Sequence, residues 1–164
     1  MSNPEINKST NHSKITGNFG EFLLLYWLSK HGFECAHVDH VGLDLIARNP
    51  HSDELMGISV KSRSRDFASA GSYVSILNSE LPKLKSACKT FRCKPYFAVV
   101  VDEPGSIWAF ILSLPHLTKI CPPRKEAISW RMSDECLKQY EEDRQIRTFR
   151  FKTETGNWWS KVPK

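Results

Sequence analysis

Apolar residues in this chain come in short runs, some alternating and some continuous, separated by polar turns. Phe22 to Leu28 is an unbroken apolar and aromatic run that stops at Ser29-Lys30-His31-Gly32. Its length and the glycine stop favour a helix, and its near-continuous apolarity predicts burial on most sides. Phe33 to Val38 reads as a strand with Asp39-His40 as a turn. Val41 to Ala47 is a second strand, in which Leu43, Leu45 and Ala47 alternate with Asp44, and Leu55 to Ser62 is a third, in which Ile58 and Val60 alternate with Ser59 and Lys61. The connections are short, so the three form an antiparallel meander. After a loop rich in Ser, Ala and Gly that runs to Ser75, Leu81, Leu84, Cys88 and Phe91 recur at helical spacing, which leaves Lys83, Lys85 and Lys89 on the wet side. Pro95 to Val101 is continuously apolar, as a central strand covered on both faces would be, and Ser106 to Leu112 pairs with it as a hairpin. Pro115, Pro122 and Pro123 then break the chain. Ser133-Asp134-Glu135 caps a short polar helix through Arg144, and Ile146 to Lys152 alternates like a strand. Residues 1–14 read as a flexible tail, 15–113 as the core and 114–164 as an extension packed on the same domain, with Trp158 and Trp159 either folded back on the core or stacked on a ligand.

Composition narrows this picture only slightly. A length of 164 residues suits one domain with a proper core, and 40% hydrophobic against 25% charged residues is ordinary for a folded soluble chain. The net charge of +5 suits a polyanionic partner. Cys35, Cys88, Cys93, Cys121 and Cys136 have neither the number nor the spacing of a disulfide framework, so free thiols are expected. The N-terminus has no apolar signal region and no run reaches membrane-span length, so a soluble, cytoplasmic protein is expected.

The chemistry gathers in Val41 to Arg65. Side chains alternate faces along a strand, so Ser59 and Lys61 point the same way. An aspartate and a lysine set into neighbouring apolar strands are expensive to bury without a partner or a purpose. They form either a structural ion pair or a site. Upstream, Glu21 is read into the opening turn of the first helix, where the helix dipole favours a carboxylate. His37, Asp39 and His40 lack a fourth partner at a metal-binding spacing.

The order and spacing of three short motifs resemble the PD-(D/E)xK nuclease superfamily, in particular its Holliday-junction-resolvase-like and restriction-endonuclease-like members. They are Gly17-Asn18-Phe19-Gly20-Glu21, Gly42-Leu43-Asp44-Leu45-Ile46-Ala47 and Ile58-Ser59-Val60-Lys61-Ser62, within a match that spans about residues 15–113. The resemblance implies an α/β restriction-endonuclease-like core, with a central mixed sheet of about five strands flanked by helices in the order α-β-β-β-α-β-β, and a C-terminal helix and strand extension. It further implies a metal-dependent DNA endonuclease. Asp44 and Glu21, with the backbone carbonyl of Val60, would hold Mg²⁺ or Mn²⁺, and Lys61 would orient the attacking water and stabilise developing charge. Without metal, Lys61 would pair with Asp44. Arg63, Arg65, Lys83, Lys85 and Lys89 would grip DNA phosphates, and a homodimer would suit the cutting of two strands. The superfamily pattern has an acidic residue where this chain has Ser59, a neutral and weakly coordinating group. Two readings therefore stand side by side: an enzyme that works with Glu21 and Asp44, with Asp53 and Glu54 as remote substitutes, or an inactive nuclease-fold protein that binds nucleic acid or a protein.

Overall fold

The structure is a computed structural model that describes residues 7–66 and 72–154. Twelve elements follow one another: α1 (His12–Lys30), β1 (Glu34–His40), β2 (Leu43–Arg48), β3 (Leu55–Ser64), β4 (Tyr73–Leu77), α2 (Glu80–Phe91), β5 (Lys94–Glu103), β6 (Ser106–Ser113), α3 (Leu114–Ile120), β7 (Ala127–Arg131), α4 (Asp134–Glu142) and β8 (Arg147–Lys152). Six of the strands make one mixed sheet in the order β1-β2-β3-β5-β6-β8, and β4 and β7 make a two-stranded sheet of their own. The predicted α-β-β-β-α-β-β order is present, with β4 inserted before α2 and β8 added as a sixth strand.

β1, β2 and β3 form the expected antiparallel meander. β3 and β5 run parallel with α2 as the crossover between them, from Met56 opposite Lys94 to Ser64 opposite Asp102. Apolar side chains cover both faces of the sheet. Leu24 and Leu28 of α1 close one face over Leu45, Ile58, Val100 and Ile111, while Leu81, Leu84 and Cys88 of α2 join Phe97, Phe110 and Trp130 on the other.

Several expectations are corrected here. α1 begins at His12, so Glu21 lies mid-helix and no acidic residue occupies the first turn; the dipole does not explain it. Nor is α1 buried on most sides. Ile15, Phe19, Phe22 and Tyr26 are 52%, 39%, 56% and 57% exposed. A continuous apolar run says nothing about which side of a helix meets the sheet. The loop read as running to Ser75 gives way to β4 at Tyr73, and Pro115 starts α3 instead of breaking the chain, a placement that a first helical turn tolerates. Ser133 caps α4 as expected, its hydroxyl accepting from the Cys136 amide. The cysteines Cys35, Cys88, Cys93, Cys121 and Cys136 are free thiols. Among the described residues no helix is long and apolar enough to cross a membrane. Trp158 and Trp159 lie outside the described residues.

Candidate active site

β3 is the strand on which the site is built. On one side Ile58 and Val60 pack with α1. Gly20 brings that helix close, because a Cβ there would come within 1.8 Å of Ser62 Oγ. The next residue in the helix is Glu21, whose Oε2 lies 2.6 Å from His37 Nε2 on β1. The His37 ring in turn stacks on Phe22, with centroids 5.2 Å apart. Alternation turns Gly57, Ser59 and Lys61 to the α2 side. Gly57 is needed there, since a Cβ would meet Cys93 Sγ at 2.5 Å and Cys88 Sγ at 2.6 Å.

The β2–β3 register ends at Leu45 opposite Ile58, and the next step brings Asp44 against Ser59. At this fork the Val60 amide donates to Asp44 Oδ2 at 2.6 Å, and the Ser59 hydroxyl donates to the same oxygen at 3.3 Å. Burial, reinforced by the nearby charge of Glu21, pushes the Asp44 carboxyl upward from its ordinary value, against the pull of those two donors and of His37. Glu21 and Asp44 are thus near enough to repel each other.

Lys61 does not pair with Asp44. Its Nζ donates to Glu80 Oε1 at 2.9 Å, and both side chains are partly buried. Glu80 opens α2, and sequence reasoning missed it because its role depends on where the crossover helix lands on the sheet. The only sequence signal was an acidic residue just before the Leu81 stripe, and that also describes a common first-turn position. Asp53 and Glu54 are committed elsewhere, Asp53 to Arg48, and Glu54 to Lys94 and the Tyr96 hydroxyl. His40 makes its own contacts with Val41 O and the Phe91 ring. Of the proposed phosphate contacts, Arg63, Lys83, Lys85 and Lys89 are exposed. Arg65 is half-buried and donates to Ser72 Oγ at 3.0 Å; burial lowers its pKa. The backbone of Lys83 lies against Gly42, where a Cβ would come within 2.5 Å of its carbonyl carbon, so α2 is seated beside the turn that leads into Asp44.

Among the described residues no group of three His, Cys, Asp or Glu side chains is placed to hold a metal ion. Two mutually repelling carboxylates are nonetheless a donor set suited to a cation. Mg²⁺ commonly takes one or two protein carboxylates and completes its shell with water and phosphate oxygens. The residues fit an ion shared with a phosphate and do not fit a closed protein cage.

No protein-family model matches the chain, and no curated protein matches it. Solved structures do. One is the 1.6 Å structure of Hjc from Archaeoglobus fulgidus, a Holliday junction resolvase from an archaeal hyperthermophile, which is 17% identical, with a TM-score of 0.51 over 75% of this chain and 93% of that one. At that identity the likeness concerns the fold alone, and with the mixed six-stranded sheet between helices it makes this chain restriction-endonuclease-like in architecture.

Proposed function

We propose that the protein is a metal-dependent DNA endonuclease whose site is the fork between β2 and β3. The observation that supports this reading best is that the charge of Glu21 on α1 reaches the partly buried Asp44 carboxyl on β2, next to the strand that carries Lys61. The nuclease fold of the Holliday junction resolvase supports the same reading.

Asp44 and Glu21, with the Val60 carbonyl as a third oxygen, would hold Mg²⁺ or Mn²⁺, which when bound neutralises phosphate charge and makes a water molecule more acidic. Asp44 is held in place by the Val60 amide and Ser59 hydroxyl, and Glu21 by His37. Lys61 hydrogen-bonds the water or a non-bridging phosphate oxygen and stabilises charge as it develops. Glu80 is a positioning residue. It pairs with the Lys61 ammonium from α2 and so fixes where that side chain points. Arg63, Arg65, Lys83, Lys85 and Lys89 contact phosphates on either side.

Incubation with duplex, single-stranded and four-way-junction DNA in Mg²⁺, Mn²⁺ or EDTA tests this directly. Metal-dependent cleavage that disappears in Asp44→Ala and Lys61→Ala is the expected result; cleavage that survives both substitutions overturns the site. A second reading, binding without cutting, is favoured by Ser59 donating to Asp44 where an acid would add charge. Tight metal-independent DNA binding with no cleavage of any substrate would select it.

A further inference from the structure

At the other end of α1 lies a cleft of about 780 Å³, within the usual size range of ligand pockets. Glu21 leans from α1 toward β1 at one edge of the sheet, whereas Trp27 leans toward β8 at the opposite edge and stacks on Phe149 with ring centroids 4.5 Å apart. Trp27, Phe33, Tyr96 and Phe149 make the cleft's aromatic lining, and none of Glu21, Asp44 or Lys61 reaches the cleft. Trp27 is taken up by Phe149, His31, Phe151 and Lys30, whereas Phe33 and Tyr96 have no ring partner among the described residues. Tyr96 is fixed by its hydrogen bond to Glu54; burial and that bond push its phenol up to about 12, so it stays a neutral ring.

The border of the cleft is basic. Arg144, Arg147 and Arg150 line it against one acidic side chain, Glu141. Arg150 is engaged, donating to Ser106 Oγ at 3.0 Å with its guanidinium over the Trp108 ring. Arg144 and Arg147 are exposed, and neither has an ion-pair partner among the described residues. Aromatic rings inside and uncommitted guanidinium groups outside match a ligand with a flat ring and a phosphate on each unit. Every nucleobase offers a π-face for stacking, and arginine grips phosphate without reading sequence. The base pairs of a duplex keep their faces covered by stacking, so only unpaired nucleotides can use the rings.

We propose that this cleft is a second nucleic-acid contact that takes unpaired nucleotides of a single-stranded segment. The proposal rests on the nucleic-acid reading above for the identity of the polymer, but not on cleavage. The test is anisotropy of a fluorescent oligothymidylate of about a dozen nucleotides, in EDTA and at several salt concentrations. Wild type, Arg144→Glu/Arg147→Glu and Asp44→Ala are compared, with circular dichroism to verify folding. The double variant is expected to bind at least tenfold more weakly with a flatter salt dependence, because two phosphate contacts are lost. Asp44→Ala is expected to bind as wild type does, and unlabelled polyglutamate of equal charge to compete poorly. Metal-dependent cleavage of plain duplex should be unchanged in the double variant. Equal affinity of the folded double variant and wild type overturns the proposal, as does polyglutamate competing as well as oligothymidylate, which would make the cleft a site for acidic peptide. If no substrate is cleaved while oligothymidylate binding still depends on Arg144 and Arg147, the endonuclease reading fails and this one stands.

Discussion

The two sides of β3 solve different problems with alternate residues of one strand. Toward α1 it presents Ile58, Val60 and Ser62, and the helix comes down onto them through Gly20. Toward α2 it presents Gly57, Ser59 and Lys61, which hold a close approach of two thiols, a donor to Asp44 and a cation paired with Glu80. The first side is packing with a polar blemish, the buried Ser62 hydroxyl, which has no hydrogen-bond partner among the described residues. The second is chemistry supported by packing at one end. A single-residue slip of register would exchange the two sets, which is why both sheet faces must be well packed for the site to exist.

The largest effect is expected from breaking the α2 side at its packed end. Gly57→Ala places a methyl group within 3 Å of Cys88, Cys93 and Leu43 side-chain atoms and should cost about 2 kcal/mol or more in urea unfolding. On the α1 side, Gly20→Ala should cost about 1–2 kcal/mol, because the clash with Ser62 outweighs the better helix propensity of alanine. Ser62→Ala alone should be close to neutral, since it removes an unpaired buried hydroxyl, and in its background Gly20→Ala should cost clearly less; additive costs would mean the helix does not rest on Ser62.

The functional end is sharpened by a double-mutant cycle. Lys61→Met should lower cleavage about 100-fold, as loss of a charge-stabilising donor does, and Glu80→Gln roughly tenfold, as for a residue that orients another. The combined variant should be no worse than Lys61→Met, and the stability coupling should be on the order of 1 kcal/mol for this partly buried pair.

The smallest effect is a pH slope. The folded pKa of Asp44 is raised above its unfolded value of about 3.9, so between the two the folded state holds more protons and stability falls as pH rises. Asp44→Asn keeps an acceptor for the Val60 amide and removes that slope. Its melting temperature should gain on wild type as pH is raised from about 4 to 7, while cleavage is abolished; a constant difference across that range would show that Asp44 is not destabilised by burial and by Glu21.

How much was legible in the sequence follows from how local each signal is. Alternation around Asp44 and Ser59 marked β2 and β3 because each strand has one apolar set per face, and the continuous run at Phe97 to Val101 marked the central β5. Asp44 and Lys61 could be singled out as charges placed among apolar residues, and Glu21 only through the resemblance of its motif. Which of them would touch could not be, since the Lys61–Glu80 pair is created by the landing point of a crossover helix. β7 was missed, and so were β4 and the first turns of α1, where polar residues dominate or where short strands find each other only across some fifty residues, as Val74 does with Trp130. The run Phe22 to Leu28 was misread for the converse reason: Phe22 and Tyr26 are exposed, because apolar residues need not be inside.

The order in which the large sheet is assembled carries a further consequence, for biosynthesis. β6 finds β5 through a tight turn, yet its other edge is covered only by β8, after α3, β7 and α4 have been made. At about 5–20 residues per second a ribosome takes some seconds to supply that stretch. For that time the nascent chain offers an open edge of Ile107, Ala109 and Ile111, and the speed of elongation through residues 114–146 sets how long neighbouring chains can reach it.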